Sequence, residues 1–258
     1  MGLSSINKTI GSYGNAAVGK VVAVPSSGSE EFYLNDSVFV IGQGLWTDEA
    51  IVSASGAVKV PALQPDEAAL LPSYISAWAI LHNYVTLKAG DTVVQTTGNS
   101  AIGKAITAIG KALNLKVLSL SDSELNDPEI SKKLEGLGSI SLTVTGQSGK
   151  VISLLSKVTA SNGVVVTYNG VYESFVTTTA VSVAISHLIF RNVSIQGFEL
   201  LPWVQNSPSE YKAAAHSVLS LLSEKKIVLK PSLVYPQSDY LSGIEAVFKT
   251  GDTAVLKH

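Results

Sequence analysis

The stretch 96-TTGNSAIGKAITAIG-110 follows the apolar run DTVVQ and precedes KALNLKVLSLS. A glycine-containing loop between an apolar strand and a helix is the local form that takes a pyrophosphate. Backbone N–H groups at the helix N-terminus point outward there and favour an anion. Gly98 can supply the tight turn and Gly103 a close helix contact, with Asn99 and Ser100 at or before the helix start. The middle position, where a glycine lets the backbone approach the phosphates, holds Ala101, followed by Ile102. One methyl narrows that space without closing it. The same residues also fit an ordinary βα turn of an α/β sheet. The second apolar run ends at 120-LSDSE-124. Asp122 there can accept from a ribose 2′-hydroxyl, as an NAD site requires, or stand as a solvated loop residue. A 2′-phosphate would want an Arg or Lys in that turn. The nearest are Lys116 inside the strand and Lys132 and Lys133 on the next helix.

Other chemistries find no support. The chain has no cysteine, which excludes disulfides, thiolate nucleophiles and Cys-ligated zinc. His82, His187, His216 and His258 are scattered without ligand spacing, and no serine sits in a G-x-S-x-G elbow. Only 15% of the 258 residues are charged and the net charge is -2, so nothing points to nucleic acid or an anionic lipid surface. No apolar run reaches the roughly 18 residues of a membrane span. The start is Ser-containing and free of acids up to Glu30, as in an organelle transit peptide, but Met1 to Lys20 has two lysines and no arginine.

The elements that must position the loop follow from periodicity. With 46% hydrophobic residues the chain can bury a sizeable core in one or two domains. Short β-rich runs between residues 18 and 60 predict a small barrel or partly closed sheet. A helix is expected from about Pro65 to Leu87. DTVVQTT, AIGKAITAIGKAL, KVLSLS, the polar helix DPEISKKLEGLG with Asp127 as cap, SISLTVT, a helix over 150–160 and VVVTY then alternate. Strand and helix at this spacing predict a doubly wound parallel sheet. A Thr/Val strand, a short helix ending near Phe190 and the strand SIQGF come next. A long helix over 208–226 follows, and then a strand–helix–strand segment that returns to the first domain.

The order of these parts resembles the medium-chain dehydrogenase/reductases, and within them the mitochondrial 2-enoyl thioester reductases of fatty acid synthesis. The residues that carry the resemblance are 6-INKTIGSYG-14, 95-QTTGNSAIGKAI-106, 161-SNGVVVTYNG-170, 185-ISHLIFRNVSIQGFELLPW-203 and 239-DYLSGIEAVFKTGDTAVL-256. The resemblance implies a GroES-like β domain over residues 1–66 and 227–258 and a Rossmann domain over 67–226. It implies NADPH, with NADH as the alternative, reducing a trans-2-enoyl thioester of CoA or acyl carrier protein. It implies a tyrosine donor to the developing enolate, which matches Tyr13; read from composition alone, Tyr13 is a half-buried loop aromatic. The cofactor residues would be Gly98, Asn99, Ser100, Ala101, Ile102, Gly103, Asp122, Tyr168 and Gly170. The acyl pocket would be bordered by Ser76, Phe198 and Trp203, although Trp203 also reads as a packing residue. A mitochondrial location and a homodimer paired edge to edge, through the Thr/Val strand from Phe175 to Val183, belong to the same expectation.

The chain departs from the family at several points. It begins within the GroES-like domain, lacks the Pro-rich loop after Gly14, and shortens the turn at 43-QGLWTDEA-50. The Asn-Pro-x-Thr stretch reads Ser73-Tyr74-Ile75-Ser76, and the segment from Asp122 to Ile140 is contracted. These changes touch cofactor and substrate loops while the strands remain. They admit two competing readings. One is a catalytically degenerate relative serving as a structural subunit of a larger mitochondrial assembly, a pseudoenzyme without cofactor. The other is a quinone-reductase-like enzyme that keeps NADPH.

Overall fold

The runs Thr92–Gln95, Leu142–Thr145 and Val164–Thr167 are buried almost throughout, their threonines and Gln95 included, the pattern of strands covered on both faces. In the computed structural model they are the centre of a five-stranded parallel sheet. The structure describes residues 16–24, 31–45, 47, 49–60, 63, 65–147, 149–168, 181–230, 233–250 and 254–257. The chain divides into two compact units, Ala77–Glu199 and the pair of segments Met1–Ser76 and Leu200–His258.

In the first unit the strands are β4 (Thr92–Gln95), β5 (Lys116–Ser119), β6 (Leu142–Thr145), β7 (Val164–Thr167) and β8 (Ser194–Gly197), in the spatial order β5-β4-β6-β7-β8. Every pairing is parallel; Val94 lies opposite Leu118 on one side and Thr143 on the other. After β4 the chain goes outward to β5 and then crosses back to β6 on the opposite side. The order therefore reverses between β4 and β6, and the carboxyl ends of these two strands form a topological switch point. The helices are α3 (Ala101–Ala112), α4 (Asp122–Leu125), α5 (Ile130–Glu135), α6 (Lys150–Val158) and α7 (Ile185–Ile189). Ile130 and Leu134 of α5 pack with Ile152, Leu155 and Val158 of α6, and with Val94 and Val165, in one apolar cluster.

Three sequence expectations change here. The polar helix after Asp127 is shorter and begins at Ile130, with Glu129 at its cap and no side-chain cap bond. Asp127 and Pro128 instead make a turn: the Asp127 carboxylate accepts from Glu129 N at 2.9 Å and pairs with Lys133. Secondly, Asp122 is not in a loop but opens the one-turn helix α4. Among the described residues the segment between β5 and β6 contains two short helices and no strand, so β5 is the outer strand of this sheet. Finally, the helix expected over 65–87 is two, α1 (Pro65–Ala68) and α2 (Leu71–His82). Pro72 stands in the first turn of α2, where its missing N–H has no intrahelical acceptor to lose.

The second unit contains β1 (Ala16–Lys20), β2 (Ser37–Ile41) and β3 (Ala57–Lys59) as an antiparallel sheet in that order. Phe32, Val38, Val40, Leu45 and Ala57 form its core. Helices α8 (Leu200–Asn206) and α9 (Pro208–Ser223) belong to this unit, as do the parallel pair β9 (Leu233–Pro236) and β10 (Ala254–Lys257) with α10 (Tyr240–Thr250) between them. Tyr211 of α9 is fully buried and donates its hydroxyl to Gly56 O at 3.2 Å. No helix of the described residues is long and apolar enough to cross a membrane.

Candidate functional site

The loop after β4 is built from its own polar residues. Gln95, at the strand's end and fully buried, donates Nε2 to Gly103 O at 3.1 Å and lies 2.9 Å from Thr107 Oγ1 and 2.8 Å from Ser119 Oγ. One amide thus ties β4 to α3 and β5. Its other atom, Oε1, is buried without a partner among the described residues. Thr96 Oγ1 meets Thr145 Oγ1 at 2.8 Å, joining the ends of β4 and β6 across the switch point. Thr97 O accepts from Ser100 N at 3.0 Å and from Ser100 Oγ at 2.8 Å, which folds the turn.

Ser100 is extended (φ -70°, ψ 163°) and its hydroxyl accepts from Gly103 N at 3.1 Å, an N-cap for α3. The N–H groups of Ala101 and Ile102, in the same first turn, have no acceptor within the helix. Both glycines are required by close approach. A Cβ on Gly98 would stand 2.6 Å from Ser119 Cβ and Oγ, and one on Gly103 would stand 1.9 Å from Thr97 O. The loop therefore runs directly over the end of β5, with α3 pressed on its backbone. A small cradle with outward N–H groups at a switch point can take a phosphate group. Asn99 is exposed, and Ala101 and Ile102 are half-buried.

Tyr168, just after β7, is buried with its hydroxyl 2.6 Å from Thr97 Oγ1 and 3.2 Å from Ser100 Oγ. Burial pushes its phenol above the ordinary value. It is a rigid support under the loop, so the structure assigns it to the loop's hydroxyls. Asp122 accepts at Oδ1 from Gln147 Nε2 at 3.0 Å. Beside it Ser121 caps α4, and Glu124 accepts from Ser121 Oγ at 2.6 Å and Ser121 N at 2.7 Å, a capping box. The Ser121 hydroxyl and then its backbone N–H hold the Glu124 carboxyl below the usual carboxylate value.

Gly98 to Gly103, Asp122 and Tyr168 therefore share the carboxyl end of one sheet. Phe198 is buried just beyond β8, its N–H on Thr167 O. Ser76 and Trp203 belong to the other unit. Ser76 Oγ donates to Pro72 O within α2, and Trp203 Nε1 donates to Glu210 while its ring meets Tyr211 edge-on. Tyr13 and Gly170 lie outside the described residues. Gln95, Thr97, Thr145 and Gln147 were not foreseen. Their signal is present in the sequence, since each is a polar residue ending or following an apolar parallel strand.

No protein-family model matches the chain. It is similar to the mitochondrial enoyl-[acyl-carrier-protein] reductase of Rattus norvegicus, 29% identical over 95% of this chain and 74% of that protein. The protein of the same name in Homo sapiens is 27% identical over the same shares. Among solved structures, a mutant enoyl thioester reductase from Candida tropicalis matches with a TM-score of 0.78 at 19% identity, over 95% of this chain and 79% of that one. The Etr1p/NADP/crotonyl-CoA complex matches with a TM-score of 0.79 at 19% identity and the same coverage. These structural likenesses speak for the fold.

Proposed function

From the chain's place as a divergent relative of the mitochondrial enoyl thioester reductases, in the medium-chain dehydrogenase/reductase superfamily, we propose that it reduces the double bond of a 2-enoyl thioester. The reductant is a nicotinamide dinucleotide. The observation that carries this reading is the loop over 96–103. It sits at the switch point, is capped by Ser100, and is held from below by Gln95 and Tyr168. Its N–H groups at Ala101 and Ile102 receive the pyrophosphate, and Gly98 and Gly103 keep the backbone close.

When bound, the dinucleotide supplies the hydride, which ends on the β-carbon of the thioester. Negative charge gathers on the thioester oxygen, and a proton is added at the α-carbon. A donor aimed at the developing enolate lowers that barrier. The likeness to the family gives this role to Tyr13, whose phenol donates without carrying charge at neutral pH. The rat and human relatives are named for acyl carrier protein and the solved complex for crotonyl-CoA, so the substrate is an acyl thioester of one of these carriers. A mitochondrial location, a role in fatty acid synthesis and a homodimer are part of the same proposal.

Titration with NADH and NADPH, followed by turnover of a crotonyl thioester, tests the reading. Saturable nucleotide binding and consumption of the reduced nucleotide with the thioester are expected. Tyr13→Phe is expected to lower kcat by about 10²-fold or more, with nucleotide binding retained. No saturable binding of either nucleotide would leave the non-catalytic reading in its place.

A further inference from the structure

We propose that the turn after β5 selects the unphosphorylated dinucleotide, so that this chain binds NADH in preference to NADPH. The inference rests on the reading of the β4–α3 loop as a dinucleotide site and concerns which form that site accepts.

Gly98 lies against Ser119, so the end of β5 adjoins the phosphate loop. In a doubly wound sheet the adenosine ribose lies there, at the end of the strand next to the one that carries the loop. The residues it meets are Ser121, Asp122, Ser123 and Glu124. Asp122 is exposed, and its Oδ1 is taken by Gln147 Nε2 from the end of β6. That bond fixes the carboxylate, whose second oxygen is the acceptor a ribose 2′-hydroxyl needs. Glu124 is fixed as well, by two bonds from Ser121.

A 2′-phosphate adds a charge of nearly -2 and calls for cationic donors. Here it would meet two held carboxylates. The nearest lysines along the chain are paired with carboxylates of their own: Lys133 with Asp127 at 2.5 Å and Lys132 with Glu129 at 2.8 Å. Lys133 is close enough to act on Glu124, but its ammonium is bonded to Asp127. Lys116 opens β5, at the strand's opposite end. Among the described residues no Lys or Arg stands in the turn itself. Like charges set side by side act against the wrong ligand. The solved Etr1p complex holds NADP, so on this point the chain departs from that neighbour.

The test is a binding titration of the full chain with NADH and with NADPH, read by nucleotide fluorescence without thioester. NADH is expected to bind with a Kd at least about tenfold lower than that of NADPH. Asp122→Arg is expected to bring the two within about threefold or reverse them, and Asp122→Asn to narrow the gap. Asp122 is exposed, and a melting curve on each variant verifies the fold. Equal or tighter binding of NADPH by the parent chain overturns the inference and leaves the dinucleotide reading standing. So does an unchanged ratio in the Asp122→Arg variant. No saturable binding of either nucleotide overturns both.

Discussion

A single methyl group added at position 103 would stand 1.9 Å from the carbonyl oxygen of Thr97, a backbone atom that cannot swing aside. Gly103→Ala should therefore push α3 off its loop. It should lower stability by about 1–3 kcal/mol in denaturant titration and abolish nucleotide binding. At Ala101, half-buried at the helix start, the chain already carries the methyl that a glycine there would lack. Reversing it with Ala101→Gly is a milder change, since it opens the cradle and loosens the first turn of α3. The two positions look alike in the sequence and differ in what lies above the Cβ. That difference comes from the path of the Thr97 backbone, which folds back over Gly103.

Gln95 belongs to the scale of elements, because its amide reaches a helix carbonyl, a helix hydroxyl and a hydroxyl on the next strand. Without it, the Gly103 carbonyl and the hydroxyls of Thr107 and Ser119 lose a buried partner. Gln95→Ala should cost about 2–4 kcal/mol in a denaturant midpoint comparison. It should also weaken nucleotide binding, because the loop rests on the elements it joins. Its polar character at the end of an apolar strand was visible in DTVVQ, whereas its three partners lie 8, 12 and 24 residues away. Helix ends were the least legible feature. Asp127 followed by Pro128 reads as a helix start, but the Asp127 carboxylate closes a turn on Glu129 N and the helix begins at Ile130.

At the scale of the whole molecule, one outer strand of the parallel sheet is β8, and the chain just before it, through α7 and its cap, exposes large apolar side chains. Ile185, Ile189 and Phe190 are 69%, 65% and 84% exposed. The Thr/Val stretch expected to be the pairing edge lies outside the described residues from Phe175 to Ala180, and Val181 to Val183 carry no strand. If the proposed homodimer uses this side, covering those side chains removes apolar area from water. The chain should then run as a dimer in size exclusion with light scattering, and Ile189→Asp with Phe190→Asp should convert it to a folded monomer. What the sequence determined alone was the order of elements and the place of the glycine loop. Apolar periodicity and the Gly98–Gly103 spacing are local signals, and a buried parallel strand can be written in few ways. What only the tertiary structure decided was which side chains meet: Tyr168 beneath Thr97, Gln147 upon Asp122, Gly98 against Ser119. Those pairs join segments 21 to 71 residues apart. Their meeting depends on the reversal of strand order between β4 and β6, a property of the assembled sheet that no single segment encodes.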